Sequence, residues 1–346
     1  MNKKTKIHES SVVMDKEALI KAESILKMIE EAKHNALKSV NAELIRLYWN
    51  VGEYLSRECA ISSYGDSFID ETARYIKENC PEIKGFNKRG LYRMKQFYET
   101  YSGSGKVSTL LTQLSWTNHL QILSGTKTIE EKEFYIALCV RENYSKRELE
   151  RQIKSAYFER YVLSDQSILP VEIPHDENTR FLDSYVLEFL DLPSACSESD
   201  LKSAITKNLK NFILEIGKEF TFVGEEYRVK VAKSDFFIDL LFFHRGLSCL
   251  VAFELKIDKF MPEYLGKMNF YLEALDRDVK RPNENPSIGV ILCASKEEEV
   301  VEYAMSRSLS PTMVAEYKLK LIEKELLERK LREYKGLLLE NKNNDE

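Results

Sequence analysis

The sequence predicts two domains: a mainly α-helical N-terminal one, and a C-terminal α/β one in which strands are flanked by helices. Three observations predict it. Two strongly apolar segments, Phe236 to Phe243 and Ser248 to Lys256, flank a tight loop at Arg245 and Gly246, as in a buried hairpin. Helical spacing at Leu201, Ile205, Leu209, Phe212, Ile213 and Ile216 precedes them and stops at Gly217. The first 160 residues read as helices separated by short loops. With 346 residues, 43% hydrophobic and 11% aromatic, the chain has apolar surface enough for two cores.

The helical domain is expected over residues 15–162. Leu37, Val40, Leu44, Leu47, Tyr48 and Val51 form one amphipathic stripe. Thr128 with Glu131, and Ser145 with Glu148, have the spacing of capping boxes ahead of two later helices. Residues 163–199 read as a connecting region. Periodicity is lost from Leu163 to Asp176, a short helix is expected near Phe181 to Leu190, and Pro193 to Ser199 forms a second boundary.

The α/β domain is expected over residues 200–312. After the helix ending at Gly217, Phe220 to Val231 reads as a first strand interrupted at Gly224, and the hairpin supplies two more. A helix opened by Pro262 runs to about Ala274, and Ile288 to Cys293 supplies a fourth strand. Residues 313–340 read as a charged C-terminal helix with Leu319, Ile322, Leu326, Leu327, Leu331, Tyr334 and Leu338 at mixed steps of three and four. The repeat is short and irregular, which favours packing within the chain over a dimer coil. Asn341 to Glu346 are expected to be disordered.

The two apolar segments of the hairpin carry charge at three places only: Asp239, Glu254 and Lys256. Ionised groups in strands this apolar need a partner or a bound cation. Side chains alternate across a strand, so Glu254 and Lys256 share a face. A connection of even length pairs residues whose numbers sum to 491. Asp239 then lies opposite Ala252 on that same face, a diagonal neighbour of Glu254 at about 7 Å. Two carboxylates placed this way can share one divalent cation. The bland alternative, a Glu254–Lys256 salt bridge, leaves Asp239 unexplained.

At these residues the chain resembles the PD-(D/E)XK nuclease superfamily, whose motif is an Asp on one strand and Glu-x-Lys on the next. It is similar in particular to the bacterial YhcG-like proteins, in which a helical domain precedes a nuclease domain. The resemblance runs from about Lys33 to Lys318 and includes Val40 to Trp49, Gly85-Phe86, Arg93 to Tyr98, Leu114-Ser115-Trp116, Arg147 to Ile153 and Pro262 to Leu272. It implies a restriction-endonuclease-like core: a helix, a mixed four-stranded sheet with its catalytic face at the second and third strands, and a flanking helix. It further implies that Glu215, on the first helix, contacts a metal-bound water, and that Lys267 and Tyr271 face the site and its nucleic acid. Glu226 stands where relatives carry Gln, which leaves its role open.

The chemistry so implied is attack of a metal-activated water on a phosphodiester. Asp239 and Glu254 hold the cation, and Lys256 orients or deprotonates the water and offsets charge in the transition state. An all-oxygen site with few protein ligands suits Mg2+, with Mn2+ able to substitute.

The net charge of -5 argues against a uniformly basic surface, yet nucleic-acid binding needs only a local one. The segment Asn87 to Tyr98 supplies it on a probable helix through Lys88, Arg89, Arg93 and Lys95. Six scattered cysteines without a Cys-x-x-Cys pair indicate neither zinc nor a disulfide framework. A polar start and the lack of a membrane-length apolar run lead to the expectation of a soluble cytoplasmic protein with no membrane partner. The leading expectation is a metal-dependent DNA nuclease, with homodimerisation through the N- or C-terminal helices and a further protein partner as expected associations. The competing readings are a non-catalytic nucleic-acid-binding protein of nuclease fold, and a partner-dependent component of a DNA-processing or phage-defence system.

Overall fold

In the computed structural model the described residues are 16–61, 65–105, 109–164, 181–193, 195–306, 308 and 310–333. Most of the expected connection at 163–176, and residues 334–346 of the expected C-terminal helix and tail, lie outside them. The chain divides into two compact units, residues 1–120 and 121–346.

The first unit is helical: α1 (Lys16–Ile61), α2 (Gly65–Asn79), α3 (Lys88–Tyr101) and the start of α4 (Trp116–Gly125). α1 crosses α3 at Gly52, where an added Cβ would lie 2.1 Å from the Met94 carbonyl oxygen, so only glycine lets the helices approach this closely. Ile45, Tyr48 and Leu55 of α1 are buried, whereas Leu37, Val40 and Leu47 are exposed. The packed face therefore overlaps the stripe expected from the sequence at Tyr48 and departs from it at Leu37, Val40 and Leu47, with Ile45 and Leu55 buried beside Tyr48. Phe97 is the hub of that cluster, with edge contacts to Trp49, Tyr101, Trp116 and His119.

The second unit begins with α5 (Ile129–Glu142), α6 (Lys146–Lys154) and α7 (Tyr157–Leu163). Thr128 caps α5 by accepting from the Glu131 N–H, and Ser145 and Glu148 form a reciprocal capping box on α6. There follow β1 (Ser184–Val186), α8 (Glu198–Lys207), α9 (Leu209–Ile216), β2 (Phe220–Val231), β3 (Ser234–His244), β4 (Cys249–Leu255), α10 (Glu263–Asp278), β5 (Asn285–Cys293), α11 (Glu298–Met305) and β6 (Thr312–Lys318).

The strands form one mixed sheet in the order β1-β6-β5-β4-β3-β2. β2, β3 and β4 pair antiparallel; β4, β5, β6 and β1 run parallel, joined by the helical crossovers α10 and α11. The sheet exceeds the expected four strands by β1 and β6, both read from sequence as helix. Tyr185 and Val186 are buried in β1, and Met313, Val314, Ala315 and Tyr317 in β6, so pairing and burial override local helical spacing there. The helix expected over 201–216 is broken at Asn208 into α8 and α9. Of the expected C-terminal helix, residues 324–333 are helical, and Lys324 is paired with Glu131 and lies 3.5 Å from Glu159, which ties this helix to α5 and α7.

Placing α5 to α7 in the second unit moves the compact boundary about forty residues before the expected one at 162. A buried ion network accounts for this. Glu215 of α9 is fully buried, and its carboxylate accepts from Arg160 of α7 at 2.6 Å, Arg151 of α6 at 2.8 Å and the Val186 N–H of β1 at 2.7 Å. Burial alone would raise its pKa, but Arg160, then Arg151 and the Val186 N–H outweigh it and hold the carboxyl below the ordinary range. Glu215→Ala leaves two arginines around an empty anion position, and chemical denaturation is expected to reveal a loss of about 3–5 kcal/mol.

Two histidines are buried neutral. His119 bonds the Leu111 carbonyl through Nε2 at 2.8 Å, and His244 accepts from the Leu247 N–H through Nδ1 at 3.1 Å. Burial pushes both pKa values down to about 4 from 6.5. The unfolded chain thus takes up these protons first. The stability is complete above pH 6.5 and falls as the pH drops toward 4, by about 3 kcal/mol per histidine. Denaturant midpoints measured across that window are expected to decline, and His244→Asn, which keeps an acceptor but cannot titrate, is expected to show a shallower decline.

Candidate active site

The hairpin of β3 and β4 pairs Leu241 with Ala252 and His244 with Cys249, so opposed numbers sum to 493, not 491. The connection is Arg245 to Ser248, one residue later than His244 to Leu247. Leu247 is buried, its N–H bonded to His244 and its carbonyl to Asn285, and Ser248 takes a left-handed φ of 49° to start β4. The shift is by two in the sum, so the faces are preserved. Continuing the register sets Asp239 directly across from Glu254, rather than diagonal to it.

Both carboxylates lie on the sheet face covered by α10, with Leu241, Leu250 and Ala252, where Met268, Leu272 and Leu275 pack. Every residue of β4 is buried, and Glu254 is only 1% exposed. Asp239 Oδ2 accepts from the Leu255 N–H at 2.9 Å, and Lys202 Nζ lies 3.5 Å from its Oδ1. Glu254 Oε1 is paired with Lys256 at 3.0 Å and with Lys267 of α10. Glu254 Oε2 is buried and has no hydrogen-bond partner among the described residues.

Lys256, just past β4, also pairs with Glu198 of α8 at 2.9 Å and lies over the Tyr264 ring. Burial disfavours its charge, but Glu198 and Glu254 more than compensate and hold its pKa above the ordinary lysine range. The side chain is therefore an ammonium here, suited to binding an anion and offsetting negative charge. Lys267 and Lys202 are raised likewise, against burial, by Glu254 and by Glu226 with Asp239 respectively.

The structure thus brings together Asp239, Glu254, Lys256 and Lys267, and departs from the expectation at two residues. Glu215 is not at the site: all its contacts are to Arg151, Arg160 and Val186, and its full burial leaves no room for a water. Tyr271, 3% exposed, lies under the Lys267 ammonium and donates its hydroxyl to the Phe237 carbonyl at 2.6 Å, so beside the site it is turned to brace β3 rather than outward. Glu198 and Lys202 went unrecognised. The only signal for either is the Ser197–Asp200 capping box, which starts α8 at Glu198 and puts Lys202 one turn on. Their contacts to Lys256 and Asp239 span 58 and 37 residues.

Among the described residues no group of three or more His, Cys, Asp or Glu is placed to hold a metal ion. The donors that do fit a cation are the orphaned Glu254 Oε2 and the neighbouring Asp239 carboxylate. Hard oxygen donors in so small a number match an ion that keeps several waters.

Away from this site, α3 carries the four basic residues read as a nucleic-acid surface. Asn87 caps it by accepting from the Gly90 N–H, and Leu91, Met94, Phe97 and Tyr101 fill the inner face. Lys88 is paired with Asp70 at 2.7 Å and Lys95 with Glu99 at 2.7 Å. Arg89 and Arg93 have no ion-pair partner among the described residues.

Comparison with known proteins gives two family matches, a YhcG PDDEXK nuclease domain over residues 178–332 and a DUF1016 N-terminal domain over residues 24–160. The chain is 32% identical over 345 residues to a protein of Escherichia coli (strain K12) described as "Putative nuclease YhcG", with 88% of this chain and 91% of that protein covered. The crystal structure of a repair endonuclease from Pyrococcus abyssi matches at 17% identity and a TM-score of 0.26, over 37% of this chain and 49% of that one. The match thus spans about half of that protein's chain, and a likeness this slight carries no argument about the site. No helix among the described residues is long and apolar enough to cross a membrane.

Proposed function

The chain belongs to the YhcG-like PD-(D/E)XK nuclease family, and from that premise we propose that it hydrolyses DNA phosphodiester bonds with a divalent metal ion held by Asp239 and Glu254. The observation that carries the reading is Glu254 Oε2, a carboxylate oxygen buried without a partner beside a second carboxylate. Such an oxygen is costly to leave bare, and a cation removes the cost. Mg2+ is the expected ion, with Mn2+ as a substitute, because the donors are few and all oxygen. When bound, the ion polarises the phosphodiester and lowers the pKa of the attacking water.

The chain's own residues do the rest. Lys256, held between Glu198 and Glu254, offers its ammonium to the negative charge that builds on the phosphoryl oxygens. Lys267, half-exposed and anchored on Glu254, offers a second cation to the same phosphate. Leu255 N–H fixes the orientation of Asp239 through Oδ2, and Lys202 stands 3.5 Å from its Oδ1.

The test is incubation of the full chain with linear, nicked, single-stranded and branched DNA, and with RNA, in Mg2+, Mn2+ or chelator. Cleavage is expected with metal and not with chelator. Asp239→Asn and Glu254→Gln are each expected to lower it at least a hundredfold with unchanged circular dichroism; full cleavage by both variants overturns the reading. Cleavage of RNA alone keeps the chemistry and replaces the substrate.

For the helical unit we propose a DNA contact through the outer face of α3, centred on Arg89 and Arg93. Lys88 and Lys95 are already neutralised by Asp70 and Glu99, so they contribute less. Arg89→Glu with Arg93→Glu is expected to weaken DNA binding uniformly across sequences and to flatten the dependence of affinity on salt by a slope of about 2. Unchanged affinity in a salt titration removes α3 from the interface.

A further inference from the structure

We infer that Lys202 occupies the place of a second cation, so that the site takes one divalent ion rather than two. The inference rests on the metal-dependent reading of Asp239 and Glu254. Lys202 projects from α8 between two strands: its ammonium pairs with Glu226 of β2 and stands 3.5 Å from Asp239 Oδ1 of β3. An ammonium bridging two carboxylates on adjacent strands has the placement of a bridging metal ion.

The backbone supports that placement. Glu226 lies between the pairs Glu225–Leu240 and Tyr227–Ile238, across from Asp239, and has a left-handed φ of 47°. This conformation is unfavourable for a glutamate within a strand. It comes just after the register shift between Phe222 and Gly224, and it goes with a carboxylate turned onto Lys202.

Charge balance points the same way. Four carboxylates (Glu198, Glu226, Asp239, Glu254) and three ammoniums (Lys202, Lys256, Lys267) interlock around the site, leaving one net negative charge. One divalent ion converts this to one net positive charge, which a single phosphodiester anion neutralises. A second divalent ion would leave three net positive charges packed beside Lys202.

Removing the ammonium should therefore open a second cation position between Asp239 and Glu226. The experiment is calorimetric titration of the full chain with Mn2+ in the absence of DNA. The parent is expected to bind one ion. Lys202→Ala is expected to bind two, the second at least tenfold weaker, and Lys202→Ala combined with Glu226→Gln to return to one. Lys202→Gln, neutral and of similar length, replaces Lys202→Ala if that variant does not fold. Two ions on the parent, or one ion on both Lys202 variants, overturn the inference while leaving the metal-dependent reading in place. No binding by the parent or any variant overturns that reading itself, and the inference with it.

Discussion

Glu254 is the constraint around which the nuclease domain is arranged. β4 is buried along its whole length, and a carboxylate in its interior must be neutralised or it would expel itself from the sheet. The lysines that neutralise it come from two directions: Lys256 from the residue just past the end of β4, and Lys267 from the crossover helix α10. Both pair with the same oxygen. That one-sided arrangement leaves Oε2 without a hydrogen-bond partner among the described residues, on the residue that the continued register sets across from Asp239. The hairpin register, the seating of α10 and the position of α8 all converge on a single carboxylate with half its bonding capacity unused.

Glu215 is the opposite solution to the same physical difficulty. It is more deeply buried than Glu254, yet both of its oxygens are engaged, by two guanidiniums and a backbone N–H. Three of its acceptor positions are used, two on Oε1 and one on Oε2. Two glutamates of similar burial thus have different fates, and what separates them is the number of lone pairs already used. Arg151 extends the first network by pairing with Glu188 and donating to the Val186 carbonyl, so α6, α7, α9 and β1 are fastened at one point. This is why the helices α5 to α7 belong with the sheet as a compact unit, although a family model for the N-terminal domain extends to residue 160.

The parts of the fold legible in the sequence are those set by local pattern. β2 has the expected limits, Phe220–Val231, and Thr128 and Ser145 cap α5 and α6 where expected, although only Ser145 closes a reciprocal box, the Glu131 carboxylate accepting from the Lys127 N–H instead. The pairing of Asp239 with Glu254 on one face was legible too, since parity survives an error of two in the register sum. What was not legible depends on partners distant in the chain. Thr312–Lys318 has the spacing of a helix and becomes a strand because β5 offers a parallel edge at Gly289 to Cys293. Val40 and Leu47 have the periodicity of a packed stripe, while the aromatic cluster selects Ile45 and Tyr48. Glu198 and Lys202 look like ordinary solvated helix positions until α8 is laid against β3 and β4.

The lysines make the site more than a pair of metal ligands. A carboxylate pair alone would attract cations and repel a phosphate, and the three ammoniums offset much of that repulsion without removing the attraction. Each is held in its charged form by a carboxylate partner, so none needs to find a counterion from solution when the phosphate arrives. Preorganisation of this kind constrains the ion content as well. The more positive charge the chain itself fixes beside Asp239, the less favourable each added divalent ion becomes, and the interlocked pairs Lys202–Glu226 and Lys256–Glu198 set that balance before any metal is bound.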